Sequence, residues 1–253
     1  MFELFEEDMD VEVKWLPRNI TTDLLAYGGG VNSTALAVLL VSRGWRGHIV
    51  FANTGAEYPD TYDFIFGIFS EWLGRYDLSI DVVGSEFRSE KFKLSLPQLI
   101  DIYGMIPSVR QRWCTTEYKL APFARWCKQH GLDPDSAMVR IAYDEAHRRK
   151  NKVRPLVEMR ITRDQCAEII RSVGLPVPRK SGCFCCPFQS RSQWVALKRL
   201  YPERFAFLVW IESRTGLKFH PDGELYLSQM TANYGQTEMF DFSEFYRPCL
   251  CKD

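Results

Sequence analysis

One segment constrains the fold of this chain more than any other: a short apolar stretch that runs directly into three glycines. Residues 23–27 have the pattern of a β-strand, residues 28–30 are all glycine, and a helix is predicted to open at Ser33, with Asn32 or Ser33 as its N-cap. Glycines let a backbone come close to phosphates, and the unpaired N–H groups at a helix start favour negative charge. The segment predicts a phosphate-binding loop; a glycine turn that only joins strand to helix is the alternative.

Predicted strands and helices alternate along the chain, which favours an α/β fold with a doubly wound parallel sheet covered on both faces. Further strands are predicted over residues 48–53, 78–83 and 137–143, with a helix over residues 59–73 between the first two. The later part is helical around a Cys-rich loop, residues 181–188. We expect residues 1–160 to form a nucleotide-binding α/β domain and residues 161–253 to form a helical, Cys-rich region packed on it as one unit.

Charge and hydropathy exclude several classes of protein. Lys plus Arg and Asp plus Glu both number 32, so the bulk charge does not attract nucleic acid, although a local basic patch is compatible with it. No apolar run approaches the roughly 20 residues of a membrane span, and the acidic residues 1–10 do not resemble a signal peptide. We therefore expect a cytoplasmic protein without a membrane partner.

The spacing of the eight cysteines is more informative than their number. Cys183, Cys185 and Cys186 lie within four positions, and Cys249 and Cys251 lie near the end of the chain. In a reducing compartment such clustering predicts metal or redox chemistry rather than disulfides. The remaining helical cysteines are expected in the core; they are Cys127 and Cys166.

The glycine loop resembles the Ser-Gly-Gly-x-Asp-Ser loop of the PP-loop adenine-nucleotide α-hydrolases. Gly28 stands in place of the first Ser, and Asn32 in place of Asp. Four further segments resemble, in the same order, those of the phosphoadenosine-phosphosulfate (PAPS) reductase-like family and its iron–sulfur branch. They are Asn53-Thr54-Gly55-Ala56-Glu57-Tyr58-Pro59, Arg110-Gln111-Arg112-Trp113-Cys114-Thr115-Thr116 with Lys119, residues 141–149, and Ser181-Gly182-Cys183-Phe184-Cys185-Cys186-Pro187-Phe188.

This resemblance implies an adenine-nucleotide site. It assigns nucleotide binding to Tyr27, Gly28, Gly29, Gly30, Asn32, Ser33, Thr34, Asn53, Thr54, Gly55, Glu57, Arg110, Arg112, Asp144 and Glu145. The expected catalytic residues are Asn32, Lys119 and Arg148. The expected nucleotide is ATP, or adenylyl sulfate (APS) or PAPS, with Mg²⁺ as an accompanying ion. The plainer alternatives are a solvated face for the arginines and a helix cap for Asp144 and Glu145.

The resemblance also implies a metal site with Cys114, Cys183, Cys186 and Cys249 as ligands. A [4Fe–4S] cluster is expected, and zinc, which the same thiolates would bind, is the alternative. The fourth ligand is open between Cys249, Cys251, Cys185 and no protein ligand, because Trp113 stands where the branch has the first Cys of a pair.

The implied function is a PP-loop ATP-dependent enzyme that adenylates a substrate and supports sulfur transfer or reduction at the metal site. The acceptor would be a nucleic acid or a small molecule, a second protein would donate sulfur or electrons, and a homo-oligomer is compatible with the sequence. Two alternatives remain: an APS or PAPS reductase, and a non-catalytic nucleotide- and metal-binding subunit of a DNA-modification or defence complex.

Overall fold

A computed structural model describes residues 22–148, 152–219 and 225–232 of the chain. It is a mixed α/β structure built on a parallel sheet of three strands in the order β1-β2-β3. The strands are β1 (Leu24–Tyr27), β2 (His48–Ala52) and β3 (Ile80–Val83). Because parallel strands are covered on both faces, β1 and β2 consist almost entirely of apolar residues, as the sequence predicted.

Helices supply the rest of the regular structure. In chain order the α-helices are α1 (Val31–Ser42), α2 (Pro59–Asp63), α3 (Ser70–Gly74), α4 (Leu96–Tyr103), α5 (Trp113–Thr115), α6 (Ala121–Gln129), α7 (Pro155–Glu158), α8 (Arg163–Ser172), α9 (Arg191–Leu200), α10 (Pro202–Thr215) and α11 (Leu227–Met230). Wider π-helical turns over Phe64–Phe69 and Thr116–Leu120 join α2 to α3 and α5 to α6. Short 3₁₀ turns lie at Ser85–Phe87, Glu90–Phe92, Pro134–Ser136 and Tyr143–Glu145. None of the described helices is long and apolar enough to cross a membrane.

The predicted strand over residues 137–143 forms only isolated bridges on the open side of β1. The Met138 N–H donates to the Leu24 carbonyl at 2.9 Å, and the Met138 carbonyl accepts from the Ala26 N–H at 3.1 Å. A second parallel bridge joins Met138 to Val153. The pairing with β1 goes no further, although β1 continues to Tyr27, and residues 143–145 turn into a 3₁₀ helix. In chain order, β2 and β3 are therefore added on one side of β1, and the segment at Met138 then pairs on the other side of β1.

Helix α1 begins earlier than predicted. Its N-cap is Gly30, so Asn32 and Ser33 lie inside the first turn, and the expectation that one of them caps the helix is wrong. The reason is local: the Ser33 hydroxyl accepts from the Gly30 N–H at 3.1 Å and donates to the Gly30 carbonyl at 2.9 Å. The serine closes the turn from within, which leaves the glycine at the cap.

Two apolar clusters make up most of the core. The first surrounds α1, which packs against the sheet and along α8. The second gathers α4, the Cys-rich loop, α9 and α10, with Trp194, Tyr118 and Phe184 fully buried in it. The candidate site lies where the glycine loop meets that Cys-rich loop.

Candidate functional site

The glycine loop follows the carboxyl end of β1 and is packed too closely for side chains. Gly29 has φ +68°, and a Cβ there would lie 2.5 Å from Ile65 Cδ1. A Cβ on Gly30 would lie 2.6 Å from the hydroxyl of Ser181 in the Cys-rich loop. A Cβ on Gly28 would lie 2.7 Å from Arg140 Cζ. The loop is thus lined by a serine and an arginine from two distant segments.

Three of the predicted nucleotide-binding side chains are used inside the fold. Tyr27, Ser33 and Thr34 are buried, and a hydrogen bond of 3.2 Å joins the Tyr27 hydroxyl to Thr34 Oγ1. Burial raises the pKa of Tyr27 above its usual range, so it stays a neutral phenol. The hydrogen bond joins β1 to α1, so these three side chains belong to the packed interior.

Asn32 is the centre of a polar network that contains several of the predicted site residues. Its amide Nδ2 donates to Glu145 Oε2 at 3.1 Å, and its Oδ1 accepts from Arg163 Nη1 at 3.2 Å. Glu145 Oε1 accepts from Arg148 Nη1 at 2.6 Å. Asp144 Oδ1 accepts from the backbone N–H of Arg163 at 3.2 Å. The structure therefore brings together Asn32, Asp144, Glu145 and Arg148, and it adds Arg163, which the sequence reasoning missed.

A second polar turn follows the carboxyl end of β2. Asn53 Oδ1 accepts from the Gly55 N–H at 2.9 Å and from the Tyr62 hydroxyl at 2.8 Å. Thr54 Oγ1 accepts from the Ala56 N–H at 3.1 Å. Since the carboxyl ends of parallel strands share one edge of a sheet, this turn and the glycine loop lie at the same edge.

Glu57, at the end of that turn, is a buried carboxylate between a lysine and a thiol. Lys119 Nζ donates to Glu57 Oε1 at 3.2 Å, and the Cys183 thiol donates to the same oxygen at 3.7 Å. Cys183 Sγ also lies 3.4 Å from Thr54 Oγ1. Burial is the largest single influence on the pKa of Lys119 and lowers it, but the charge of Glu57, its hydrogen bond to the amine and Cys183 together raise the pKa above its usual value, so the amine is charged.

The predicted thiols lie in one region. Burial raises the pKa of Cys183, Cys186 and Cys114, and the charges of these groups act on one another. Among the described residues, however, no group of three or more His, Cys, Asp or Glu side chains is arranged to hold a metal ion. Cys249 and Cys251 lie outside the described residues. The predicted ligand set is therefore incomplete in the part of the chain that is described.

The two predicted arginines before α5 differ in their surroundings. Arg110 is exposed. The Arg112 guanidinium lies 5.4 Å from the centre of the Phe188 ring, which connects it to the Cys-rich loop. As predicted, Cys127 and Cys166 are fully buried in α6 and α8.

Arg140 and Ser181 are the other residues that the sequence reasoning did not assign to the site. A signal for Arg140 was present, because a charged residue interrupts an apolar segment, residues 137–142, that would otherwise read as a buried strand. Ser181 carried no comparable signal, since its place beside Gly30 depends on the packing of two loops far apart in sequence.

No family model matches the chain. It is 27% identical over 161 residues to the uncharacterized nin region protein ORF290 of Escherichia phage lambda, which covers 54% of this chain and 54% of the relative. It is 23% identical over 212 residues to the uncharacterized protein MJ0973 of Methanocaldococcus jannaschii, covering 76% of this chain and 47% of the relative. The chain thus spans about half the length of these curated relatives, and neither name states an activity.

Proposed function

We propose that this chain is an ATP-dependent enzyme of the PP-loop type, which adenylates an acceptor and prepares it for sulfur transfer or reduction. The observation that carries the proposal is the meeting of the glycine loop, the Asn32 network and the Glu57–Lys119 pair at one edge of the parallel sheet. The chain also returns to the other side of β1 at Met138. In open α/β sheets, ligands bind where the strand order reverses in this way.

The reaction that suits this arrangement is transfer of the adenylyl group. An acceptor oxygen attacks the α-phosphorus of ATP, the bond to the bridging oxygen breaks, and pyrophosphate leaves with the negative charge. The backbone N–H groups at the start of α1 and the cations of Lys119 and Arg148 would stabilise charge on the phosphates. Asn32 contributes no charge, so Mg²⁺ would be held mainly by the phosphates themselves.

The thiols belong to the second half of the proposed reaction. On their own the described residues do not fit a metal ion or an iron–sulfur cluster, and no step above passes through one. We infer that a metal at Cys114, Cys183 and Cys186 needs a ligand from outside the described residues, for which Cys249 is the candidate.

The nucleotide half can be tested at Gly30. Its φ of −102° suits any residue, and the obstacle to a Cβ is the rotatable hydroxyl of Ser181, so Gly30→Ala should fold. Gly29 is unsuitable because its positive φ and Ile65 would strain any side chain. We expect Gly30→Ala to weaken ATP binding in calorimetry by about tenfold or more, since the methyl group fills the approach to the backbone N–H groups.

Gly67→Ala is the matched control, because a Cβ there has nothing within 4 Å. Equal ATP affinity in wild type and Gly30→Ala, at equal melting temperature, contradicts the proposed loop. Release of AMP and pyrophosphate with candidate acceptors separates an adenylating enzyme from a sulfonucleotide reductase. ATP binding without turnover would indicate the non-catalytic subunit instead.

A further inference from the structure

The guanidinium of Arg140 lies directly on the glycine loop. A Cβ on Gly28 would lie 2.7 Å from Arg140 Cζ and 2.9 Å from both Nε and Nη2. The backbone of this arginine is fixed nearby, because Met138 is hydrogen bonded to β1 on both sides, at Leu24 and Ala26. The guanidinium therefore fills the volume that a side chain at position 28 would need.

This contact accounts for the difference between this loop and the one it resembles. That loop has a serine where this chain has Gly28, and a serine here would require the Arg140 guanidinium to move aside. The exchange replaces a small neutral donor by a planar cation with several N–H donors, which suits the oxygens of a phosphate better than a hydroxyl does.

The charge of Arg140 also reaches the other groups of the site. Burial raises the pKa of Tyr27, and the positive charge of Arg140 opposes that rise. For Lys119, burial and Arg140 both act to lower the pKa, against the combined effect of Glu57 and Cys183. Arg140 therefore lies within electrostatic reach of both the glycine loop and the Glu57–Lys119 pair.

We propose that Arg140 is a phosphate-binding residue of this site, donating to the phosphate of the nucleoside triphosphate that lies against Gly28, in place of the serine hydroxyl. The proposal rests on the proposed function, since it names the residue that binds the nucleotide's phosphates. It assigns Arg140 a contact with the ligand, as distinct from a purely structural role in covering the loop.

The test is an exchange of the two side chains, read out by calorimetry with ATP and with adenosine. Arg140→Ala should weaken ATP binding by about 10- to 100-fold and leave adenosine binding within about twofold. Arg140→Lys keeps the positive charge but loses the paired N–H donors of the guanidinium, so its ATP affinity should lie between those of wild type and Arg140→Ala. Gly28→Ser alone should weaken ATP binding by displacing the guanidinium. The double variant Gly28→Ser, Arg140→Ala should bind ATP better than Arg140→Ala alone, because the hydroxyl then has room beside the phosphate.

Arg75→Ala is the control, since Arg75 lies on the surface in an exposed pair with Glu71. Failure of the wild type to bind ATP would overturn the proposed function, and this inference with it, before any variant is made. If the wild type binds ATP and a folded Arg140→Ala variant binds it equally well, Arg140 only covers the loop and this inference alone is wrong. If Arg140→Ala does not fold, Arg140→Lys and the double variant decide, and equal affinity in all of them overturns the inference.

Discussion

At the residue scale, the carboxylate of Glu57 joins the lysine of the proposed nucleotide site to a thiol of the Cys-rich loop. It accepts from Lys119 on one side and from Cys183 on the other, and only 4% of the residue is exposed. A buried carboxylate is stable as an anion only if such donors remain. Lys119, which the sequence predicted as catalytic, is therefore also the cationic partner of the buried Glu57, and the two roles are separable by experiment.

Removing the amine of Lys119 should destabilise the fold. Lys119→Met leaves Glu57 without its cation, and we expect a loss of about 2 kcal/mol, below the usual cost of breaking a buried pair because the Lys119 side chain is 38% exposed. Glu57→Gln should cost less, and the double variant should recover part of the loss. Urea denaturation measures all three, with Arg75→Met as a surface control expected within about 0.5 kcal/mol. A Lys119→Met variant no less stable than Arg75→Met contradicts the buried pair.

Tyr118, the neighbour of Lys119, makes the stability sensitive to alkaline pH. It is fully buried, its hydroxyl donates to the Leu94 carbonyl at 3.0 Å, and burial raises its pKa to about 12. An acid with a raised pKa in the folded state favours folding below its ordinary pKa near 10, and that contribution is lost as the pH rises through about 12.

Comparison of wild type with Tyr118→Phe isolates this contribution. At pH 8 the variant should be less stable by about 1 kcal/mol, because it lacks the hydrogen bond. Between about pH 10 and 12 the difference should shrink, since only the wild type must keep a phenol neutral on folding. Tyr103→Phe, at a 62% exposed position, is the control. A Tyr118→Phe effect that is the same at pH 8 and at pH 11.5 would show that the phenol is not buried as described.

At the element scale, the sequence predicted most strands and helices because their patterns are local. The limits of β1, β2 and β3 agree with expectation to within one or two residues. The exceptions depend on tertiary contacts. The segment at Met138 forms single bridges to β1 and to Val153 instead of a strand, and the π-helical turn that carries Lys119 departs from the 3.6-residue period on which sequence patterns rely.

The sequence pointed to individual residues of the candidate site, but it did not indicate which of their side chains contact one another. Motif resemblance pointed to Asn32 and Glu145 separately, and the structure joins them by a hydrogen bond. Nothing in the sequence indicated that Arg163 belongs to the site, because an arginine that follows a helix N-cap is common and indicates no function. What decides its place is the packing of α8 along α1.

That packing makes Asn32→Asp an informative change. An aspartate would place a carboxylate oxygen about 3 Å from Glu145 Oε2, where the Asn32 amide now donates. We expect a loss of about 1–2 kcal/mol without divalent cations, because a hydrogen bond becomes a repulsion. Two carboxylates at that spacing suit a hard cation, so Mg²⁺ should raise the melting temperature of the variant and not that of the wild type.

Asn53→Asp is the control for this experiment, because the Asn53 side-chain oxygen is an acceptor from Gly55 and Tyr62, which an aspartate can replace. Thermal melts with and without Mg²⁺ give the comparison. Equal shifts for Asn32→Asp and wild type would mean that position 32 and Glu145 do not face a common space.

At the scale of the whole molecule, the thiols connect segments that are far apart in sequence. Cys114 lies in α5, and Cys183 and Cys186 lie in the Cys-rich loop, which pairs with the turn after β2 through an antiparallel bridge between Glu57 and Cys183. A metal bound here would therefore tie together the sheet edge, α5 and the second core cluster, and its loss should be felt across the fold.

The last prediction is that metal content depends on this long-range set and not on the other thiols. Thiolates bind iron and zinc, and the loss of one ligand leaves an unsaturated ion. We expect Cys114→Ser, Cys183→Ser and Cys186→Ser to lose metal in anaerobically purified full-length protein, measured by iron and zinc counts and visible absorbance. Cys127→Ser and Cys166→Ser, at buried positions outside the predicted ligand set, should keep it. Because the described residues do not complete a site, Cys249→Ser should lose metal as well.

Full metal content in Cys249→Ser would mean that the fourth ligand is another residue or that the fourth position is open. No effect of Cys114→Ser would remove the iron–sulfur interpretation and favour zinc within the Cys-rich loop, and a wild type without metal would contradict the thiol site altogether.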